Sequence, residues 1–131
     1  LEPRHLVVAA ELRGHHGHPV AARDELDEIV RWRRQHQPGG QTAGSVFTNP
    51  PGDSAGRLVD AAGCRGLRWG TAEVSDKHAN FIQSRPGGSA DDVAALIAEV
   101  QHRVRALTGI ELRPEVRMIG FGPGAGGQPP P

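Results

Sequence analysis

The sequence predicts an α+β fold: one domain in which a small mixed or antiparallel sheet is packed by two longer helices and one short helix. Three observations support this fold class. The chain has 131 residues, a length that suits one domain with its own core. Two segments repeat apolar residues at helical spacing. Several short apolar runs are bounded by glycine or proline, which is typical of strands.

A long helix and a short helix are predicted in the N-terminal half of the chain. The long helix begins near Pro19 and continues to Gln35, before the breaker residues 38–40. Its opposite face is charged, which favours a solvated surface over a binding patch. The short helix follows Ser54, a good N-terminal cap, and ends before Gly63.

The best helical pattern lies in the C-terminal half. It opens at Ser89, with Asp92 three positions later as in a variant of the capping box, and it ends at Gly109. Its apolar stripe predicts a core-facing helix and consists of Val93, Leu96, Ile97, Val100, Val104 and Leu107.

Strands are predicted where short β-prone runs meet turn residues. The runs are 5–12, 67–69, 79–83, 110–112 and 116–119. Pro114 separates the last two runs because it has no backbone N–H for a ladder. The Gly/Pro-rich tail 122–131 is predicted to be disordered, so the domain is assigned to residues 1–121.

Composition argues against several classes of protein. Fifteen basic and fifteen acidic residues give zero formal net charge, and aromatic residues make up 4% of the chain, so we expect no nucleic-acid partner. No apolar run approaches the roughly 20 residues of a membrane-spanning helix. Cys64 is the only cysteine and no signal peptide is recognised, so we expect a cytoplasmic protein. Because Leu1 opens almost directly on an apolar run, we expect the chain to be a piece of a longer protein.

The segment 43–50, Ala-Gly-Ser-Val-Phe-Thr-Asn-Pro, is the first candidate site. Gly44 has no Cβ and lets a ligand approach Ser45 closely, while Asn49 and the proline after it stop the strand. The Ser45 hydroxyl is therefore predicted to be within reach of a substrate. An ordinary glycine-rich turn is the alternative interpretation of the same residues.

Glu115, at the break that Pro114 makes, is the second candidate. If the strands around Glu115 pair next to the Ser45 segment, a hydroxyl and a carboxyl can face one ligand, an arrangement suited to proton transfer. A surface position or an ion pair with Arg117 is the alternative. The polar bend 75–78 is either a ligand contact or a solvated loop.

Other chemistries lack a matching pattern. His15, His16 and His18 lie in a Gly-rich stretch without the spacing of known zinc sites, so we predict no metal. Phe47 stands where a nucleophile elbow has glycine, which argues against a serine hydrolase. No glycine-rich loop carries the Lys-Ser/Thr of a P-loop.

Four motifs, in order, resemble the C-terminal substrate-binding domain of the UDP-N-acetylenolpyruvoylglucosamine reductase family. The motifs are the 43–50 segment, Ala-Gly-Arg-Leu-Val-Asp at 55–60 with Gly63 and Gly66, Val-Ser-Asp-Lys-His-Ala-Asn-Phe-Ile at 74–82, and Pro-Glu-Val-Arg at 114–117. Each motif alone is weak, but four in this order are specific.

The resemblance implies an enzyme of peptidoglycan synthesis that uses NADPH and FAD to reduce UDP-N-acetylglucosamine enolpyruvate to UDP-N-acetylmuramate. By resemblance, Ser45 would protonate the carbanion left by hydride transfer, and Glu115 would support the enol-like intermediate. Gly44, Asn49 and His78 would hold the nucleotide sugar. FAD and NADPH would bind mainly to an upstream FAD-binding domain that this chain lacks. The isolated chain is therefore expected to be inactive, and we expect a monomer.

One position departs from the family pattern. The family commonly has a lysine two positions before a proline ahead of the serine motif, and here His36 stands before Pro38. Lysine is charged at neutral pH, whereas histidine, with a reference pKa of about 6.5, is only partly so. His36 is thus a candidate substrate-binding residue, with Arg33 or Arg34 as alternatives. A non-catalytic nucleotide-sugar binding module and a structural interaction domain remain rival functions.

Overall fold

The computed structural model of the protein describes residues 7–121, which contain three helices and a four-stranded antiparallel sheet. This arrangement confirms the predicted α+β fold class. In chain order the elements are α1 (Pro19–His36), β1 (Gln41–Ser45), α2 (Ala55–Ala61), β2 (Arg68–Trp69), β3 (Ala72–Val74), β4 (Phe81–Ser84) and α3 (Ala90–Thr108). The tail predicted to be disordered, 122–131, lies outside the described residues.

The chain divides into two compact units, Leu1–Trp32 and Arg33–Pro131. The first unit contains most of α1, which confirms the first predicted long helix and starts with a proline whose missing N–H would have had no helical partner. α1 has no buried residue, so the apolar stripe that predicted it is exposed. Neither α1 nor any other helix within residues 7–121 combines the length and apolar character needed to span a membrane.

The strand predicted for residues 5–12 is wrong over its described part, 7–12, which has no regular secondary structure. Val8 and Leu12 are 88% and 91% exposed. A β-strand is stabilised by ladder hydrogen bonds and cross-strand contacts, and the described residues provide no strand beside this segment. Its β-prone composition alone is not enough to order it as a strand.

The second unit is built on an antiparallel sheet with the strand order β1-β4-β3-β2. β4 pairs with β1 on one side and with β3 on the other. The pairing of β1 is irregular, because its register shifts between Thr42 and Ser45. Gly44 lies in this shift with φ at +86°, a conformation that glycine adopts without steric cost. β1 ends at Ser45, directly after this irregularity.

Short strands were predicted less accurately than helices. The runs 67–69 and 79–83 overlap β2 and β4, but β3 was missed because its central residue is the polar Glu73. The strands predicted for 110–112 and 116–119 are wrong, since this part of the chain makes one isolated bridge, between Pro114 and Phe47. A proline cannot donate to a ladder, so the pairing does not extend into a strand.

The core lies between the sheet, α3 and α2. α3 packs on β2, β3 and β4, and it also contacts α2. The predicted stripe of α3 is buried at its centre, whereas Leu107 at its end is 60% exposed. Among the largest fully buried side chains are Leu58, Val59, Val74, Leu96, Val100, Val104 and Leu112. Of the two long helices, α3 is thus the one with a buried apolar face.

Both predicted N-terminal caps are confirmed, but the capping box is not. Ser54 Oγ accepts the Arg57 N–H at 3.3 Å, and Ser89 Oγ accepts the Asp91 N–H at 3.1 Å. The Asp92 carboxylate accepts instead from the backbone N–H and the hydroxyl of Thr71, at 2.8 and 2.6 Å. These hydrogen bonds lower the pKa of Asp92 and tie the start of α3 to the β2–β3 turn.

Candidate functional site

The Ser45 segment, residues 43–50, leaves the sheet at the end of β1. It runs between the segment that contains Asn80 and the segment that contains Glu115. Ser45 is the last residue of β1, is exposed, and lies opposite Phe81 of β4. The next two residues turn inward, since Val46 and Phe47 are each only 2% exposed. Their burial anchors the segment and leaves the Ser45 and Asn49 side chains at the surface. The segment is therefore an anchored turn that presents polar groups outward.

Glu115 lies beside this segment. The Glu115 N–H donates to the carbonyl of Val46 at 2.8 Å, and the Thr48 N–H donates to the carbonyl of Arg113 at 3.0 Å. These bonds flank the bridge between Phe47 and Pro114. The structure thus brings the backbones of the two candidate catalytic residues, far apart in sequence, into adjacent segments. Both side chains are exposed.

Asn80, which the sequence analysis did not single out as a site residue, holds the other side of the segment. Its side-chain amide donates to the Phe47 carbonyl at 2.8 Å and accepts the Phe47 N–H at 2.9 Å. Its own carbonyl accepts the Val46 N–H at 2.9 Å. Asn80 is 5% exposed. A sequence signal existed: an amide within the apolar run 79–82 needs buried partners.

The bend 75–78 positions His78. Ser75 is 2% exposed, and its Oγ accepts the N–H groups of Lys77 and His78 at 3.1 and 3.4 Å. The His78 ring lies edge-to-face on Phe81, with centroids 4.9 Å apart. Its Nδ1 accepts the Asn80 N–H at 3.2 Å. A neutral ring held this way carries its proton on Nε2, which can donate to a ligand.

Asn49 lies between the Ser45 segment and the start of α2. Its Oδ1 accepts the Ala55 N–H at 2.9 Å, which orients the amide. A Cβ added to Gly56, the next residue of α2, would lie 3.3 Å from the His78 ring. Asn49 and His78 are thus connected through the first turn of α2. These contacts place two predicted substrate-binding residues on neighbouring elements.

Basic residues line an open depression beside His78. The depression has a volume of about 340 Å³ and is lined by Ser54, Gly56, Arg57, Asp60, Arg65, Lys77, His78 and Ala79. Arg57 pairs with Asp53, and its hydrogen bond lowers the pKa of Asp53 to about 2. Arg65 pairs with Asp60 at 2.8 Å and so lowers the pKa of Asp60. Lys77 adds a further positive charge.

His36 is the last residue of α1 and is exposed. Two positions earlier, the carbonyl of Arg34 accepts a hydrogen bond from the Lys77 ammonium at 2.5 Å. A cation next to carbonyls at a helix C-terminus is electrostatically favourable. The structure therefore brings a lysine of the bend 75–78 to the helix end that carries His36. The sequence pattern pointed only to Arg33 and Arg34 as alternatives to His36.

An apolar cavity of about 310 Å³ is lined in part by Gln41, Thr42 and Ala43 of β1. Its wall includes Val46, Ile97 and Val116, and residues from the first turns of α3. The cavity is lined mainly by apolar side chains, and Arg117, which stays protonated, is the one ionisable residue of its lining. Among the residues that the structure describes, no group of three or more His, Cys, Asp or Glu side chains is placed to hold a metal ion.

Comparison with known proteins identifies the family. The C-terminal domain of UDP-N-acetylenolpyruvoylglucosamine reductase matches residues 35–119. The reductase of Syntrophotalea carbinolica is 47% identical over 119 residues, covering 90% of this chain and 40% of that protein. That of Novosphingobium aromaticivorans is 45% identical over 116 residues, covering 88% and 39%. The chain therefore spans about two fifths of the length of these relatives.

A solved structure agrees with the sequence matches. The crystal structure of the reductase from Thermus caldophilus aligns with a TM-score of 0.56 and 40% sequence identity, covering 71% of this chain and 33% of that chain. The family match at residues 35–119 lies within the second unit, and so do all four motifs. The chain belongs to the UDP-N-acetylenolpyruvoylglucosamine reductase family, and the part of it that matches is the C-terminal domain.

Proposed function

We propose that this chain is the substrate-binding and proton-donating half of a UDP-N-acetylenolpyruvoylglucosamine reductase. The full enzyme would reduce the enolpyruvyl group to UDP-N-acetylmuramate with NADPH and FAD, in peptidoglycan synthesis in the cytoplasm. The observation that carries this proposal is the backbone pairing that sets Glu115 beside Val46, next to Ser45, in a member of this family. Because the two backbones are adjacent, the Ser45 hydroxyl and the Glu115 carboxyl can act on one substrate.

Ser45 would deliver the proton that completes the reduction. Its exposed hydroxyl follows Gly44, whose missing Cβ leaves open space on that side. The proton would move from Ser45 Oγ to the substrate carbon, and the serine would regain a proton from solvent. A hydroxyl is a weak acid, but the carbanion equivalent that it would protonate is a strong base.

Glu115 would stabilise the enol-like intermediate. A carboxyl can do so by donating a hydrogen bond to the developing oxyanion when protonated, or by orienting a neighbouring donor when ionised. The hydrogen bond from the Glu115 N–H to Val46 fixes the backbone of Glu115 relative to the Ser45 segment. Both candidate groups thus start from a defined backbone geometry, which favours cooperation on one substrate.

The nucleotide sugar would bind through Asn49, His78 and His36. The Asn49 NH₂ and the His78 Nε2–H are donors of the kind that phosphate and uracil oxygens accept. The basic depression next to His78 suits the negative charge of a diphosphate. Lys77, placed at the end of α1, would assist His36 where the family commonly has a lysine.

The flavin is expected to bind mainly outside the described part of the chain. The sheet is antiparallel and lacks the parallel βαβ crevice in which dinucleotides commonly bind. The cavities described above have volumes of about 310 and 340 Å³, at the low end of the range of ~300–1,000 Å³ for ordinary ligand sites. FAD and NADPH are therefore assigned to an upstream domain, and the isolated monomer is expected to be inactive.

A chimeric enzyme tests the proposal. The flavin-binding part of the Syntrophotalea carbinolica reductase would be joined to this chain, which would replace the region it matches. We expect the chimera to oxidise NADPH when given the enolpyruvyl substrate. Ser45→Ala should lower kcat by about 100-fold or more, because positioned acid catalysis contributes ~10²–10⁴. Flavin reduction by NADPH, followed by absorbance, should not change.

Ser84→Ala is the matched control, since it also removes one serine hydroxyl but on β4, where that hydroxyl donates to the Arg85 carbonyl. Its turnover should stay within about twofold of the parent. Equal turnover of the Ser45 variant and the parent would remove Ser45 from the mechanism. A chimera that binds the substrate yet never turns over would favour the non-catalytic binding module.

A further inference from the structure

We propose that Asn80 is the positioning residue of the site: its buried side-chain amide holds the Ser45 segment against the Glu115 segment, and its backbone N–H orients His78. This inference rests on the function proposed above for Ser45 and Glu115. Neither the family match nor the similarity to solved structures assigns Asn80 a role. Asn80 would act through other residues, without itself touching the substrate.

The amide of Asn80 binds Phe47 as a paired strand would. It donates to the Phe47 carbonyl at 2.8 Å and accepts the Phe47 N–H at 2.9 Å, so one side chain satisfies both polar groups of a buried residue. The main-chain carbonyl of Asn80 adds the bond to the Val46 N–H. Three hydrogen bonds therefore hold the two residues that follow Ser45.

These bonds form a clamp, which consists of Asn80 with Val46 and Phe47. The clamp lies where the regular ladder between β1 and β4 has ended. β1 stops at Ser45, after a register shift, so the ladder with β4 does not continue through Val46 and Phe47. Backbone groups buried at such an end must find partners other than ladder neighbours. The Asn80 amide supplies them and continues the contact between the two segments beyond β1.

The opposite side of the clamped pair carries Glu115. The Val46 carbonyl accepts the Glu115 N–H at 2.8 Å, while the Val46 N–H donates to Asn80. Val46 is thus bonded on one side to Asn80 and on the other to Glu115. A shift of Phe47 or Val46 toward solvent would change the spacing between the Ser45 hydroxyl and the Glu115 carboxyl.

Asn80 also connects to His78. Its N–H donates to His78 Nδ1 at 3.2 Å, and its Cβ would lie 3.7 Å from a Cβ added to Gly56. The same residue therefore bonds to the segment with Ser45 and to the ring of His78, and it leaves little room for a side chain at Gly56 of α2. Both polar atoms of its side chain have a hydrogen-bond partner, as do all buried side-chain polar atoms of the described residues. Such a satisfied amide specifies one geometry.

The alternative is that Asn80 only adds stability. Asn80→Asp separates the two explanations, because Asp has the same shape, keeps an acceptor for the Phe47 N–H and, when ionised, directs an oxygen at the Phe47 carbonyl. Thr71→Val is the matched control. It removes the hydroxyl bonds to Asp92 and Ser89 at the β2–β3 turn and destabilises the fold without touching the clamp.

Hydrogen exchange of this chain, followed by NMR, is the first measurement. In Asn80→Asp we expect the amides of Val46, Phe47 and Glu115 to exchange about 10-fold faster or more, relative to the amides of α3 in the same protein. In Thr71→Val the ratio between these two sets should not change. Equal acceleration of all amides in Asn80→Asp would overturn the proposal, because it would mean a general loss of stability.

Kinetics of the chimera give the second measurement. Asn80→Asp should lower kcat by about 10- to 100-fold, the scale expected for a catalytic group displaced by about 1 Å, with flavin reduction by NADPH unchanged. Thr71→Val should keep kcat within about twofold. Unchanged kcat in an active Asn80→Asp chimera would overturn the positioning role. If the parent chimera is inactive, the proposed function fails, and hydrogen exchange alone still decides whether Asn80 holds the segment.

Discussion

Two polar networks lie at opposite edges of the sheet and have different roles. The first, the Asn80 clamp, consists of Asn80 with Val46 and Phe47 beside β1. The second, the Asp92 network, consists of Asp92, Thr71 and Ser89 where the β2–β3 turn meets the start of α3. Both join segments that are distant in sequence. The first supports candidate chemistry, and the second supports the fold.

The networks differ in the groups they use. The clamp is buried and neutral, with an amide matched to both polar groups of one backbone residue. The Asp92 network is partly exposed and contains a carboxylate that accepts two bonds from Thr71. A neutral, buried clamp holds its geometry independently of pH and salt, whereas charge-assisted bonds are stronger but depend on ionisation. An acid–base site benefits from the first kind of support.

Breaking the Asp92 network should give the largest loss of stability. Gly70 has φ at +53°, and a Cβ there would lie 2.4 Å from the Asp92 carboxylate. Gly70→Ala therefore combines backbone strain of ~1–2 kcal/mol with displacement of Asp92 from Thr71. We expect the free energy of unfolding, measured by urea denaturation, to fall by about 3 kcal/mol.

Gly87→Ala isolates the backbone part of that effect. Gly87 has φ at +73°, but nothing lies within 4 Å of an added Cβ. Its loss should be limited to the strain of about 1 kcal/mol. If the two alanine variants unfold at the same urea concentration, the contact with Asp92 contributes nothing, and the interpretation of this network is wrong.

Gly44→Ala is the same type of substitution at the candidate site, and it should cost less stability than Gly70→Ala. Gly44 has φ at +86° and, like Gly87, open space around an added Cβ. Gly44→Ala and Gly87→Ala should lose similar stability, about 1 kcal/mol each. Only Gly44→Ala should also shift the NMR signals of Ser45, Val46 and Glu115, because it strains the bulge that ends β1.

A titration with UDP-N-acetylglucosamine extends this pair of variants to ligand binding. Any shifts that the ligand causes at Asn49 and His78 in the parent chain should persist in Gly87→Ala and weaken in Gly44→Ala. Identical titrations of the two variants would mean that the conformation of Gly44 does not matter for the site.

The helices could be predicted from the sequence because their signals are local. Ser54 and Ser89 cap the helices they were expected to cap, and the buried stripe of α3 follows helical spacing. The prediction of a strand at 5–12 was wrong for the opposite reason. A strand is ordered by pairing with a neighbouring strand, which the local residues do not specify. β3 was missed because Glu73 interrupts a very short apolar pattern.

The candidate site residues come from the sequence and stay a prediction, whereas the groups that hold them in place could not be predicted. Ser45 and Glu115 were singled out by the turn and break residues around them, the motif resemblance added their expected roles, and the structure brings their segments together. An amide within the apolar run 79–82 signals buried partners for Asn80, but these partners are backbone groups of Phe47, which residue type does not identify. Asp92 was assigned to its own helix, although the Thr71 hydroxyl at the sheet edge competes for its carboxylate. In each of these cases the side chain bonds to a residue distant in sequence, and local patterns do not report such contacts.

The smallest expected effect separates the two networks by their response to pH. Asp92→Asn keeps an oxygen that can accept from Thr71 but removes the charge. The pKa of Asp92 is lowered in the folded protein by the hydrogen bonds from Thr71. Its contribution to stability is therefore complete above the unfolded-state pKa, ~3.9, and is lost as the pH falls through the lower folded-state value. We expect the parent to be slightly more stable than the variant near neutral pH.

That advantage should shrink when urea unfolding is repeated at progressively lower pH, because the parent then also loses its charge. Asp53 and Asp60, whose pKa values are lowered by Arg57 and Arg65, cancel in the difference since both proteins contain them. Over the same range the amide exchange of Val46 and Phe47, relative to α3, should not respond to Asp92→Asn. A stability difference that stays constant down to about pH 3 would show that the carboxylate charge of Asp92 does not strengthen the network. The contrast between a charged structural network and a neutral site clamp would then have no basis.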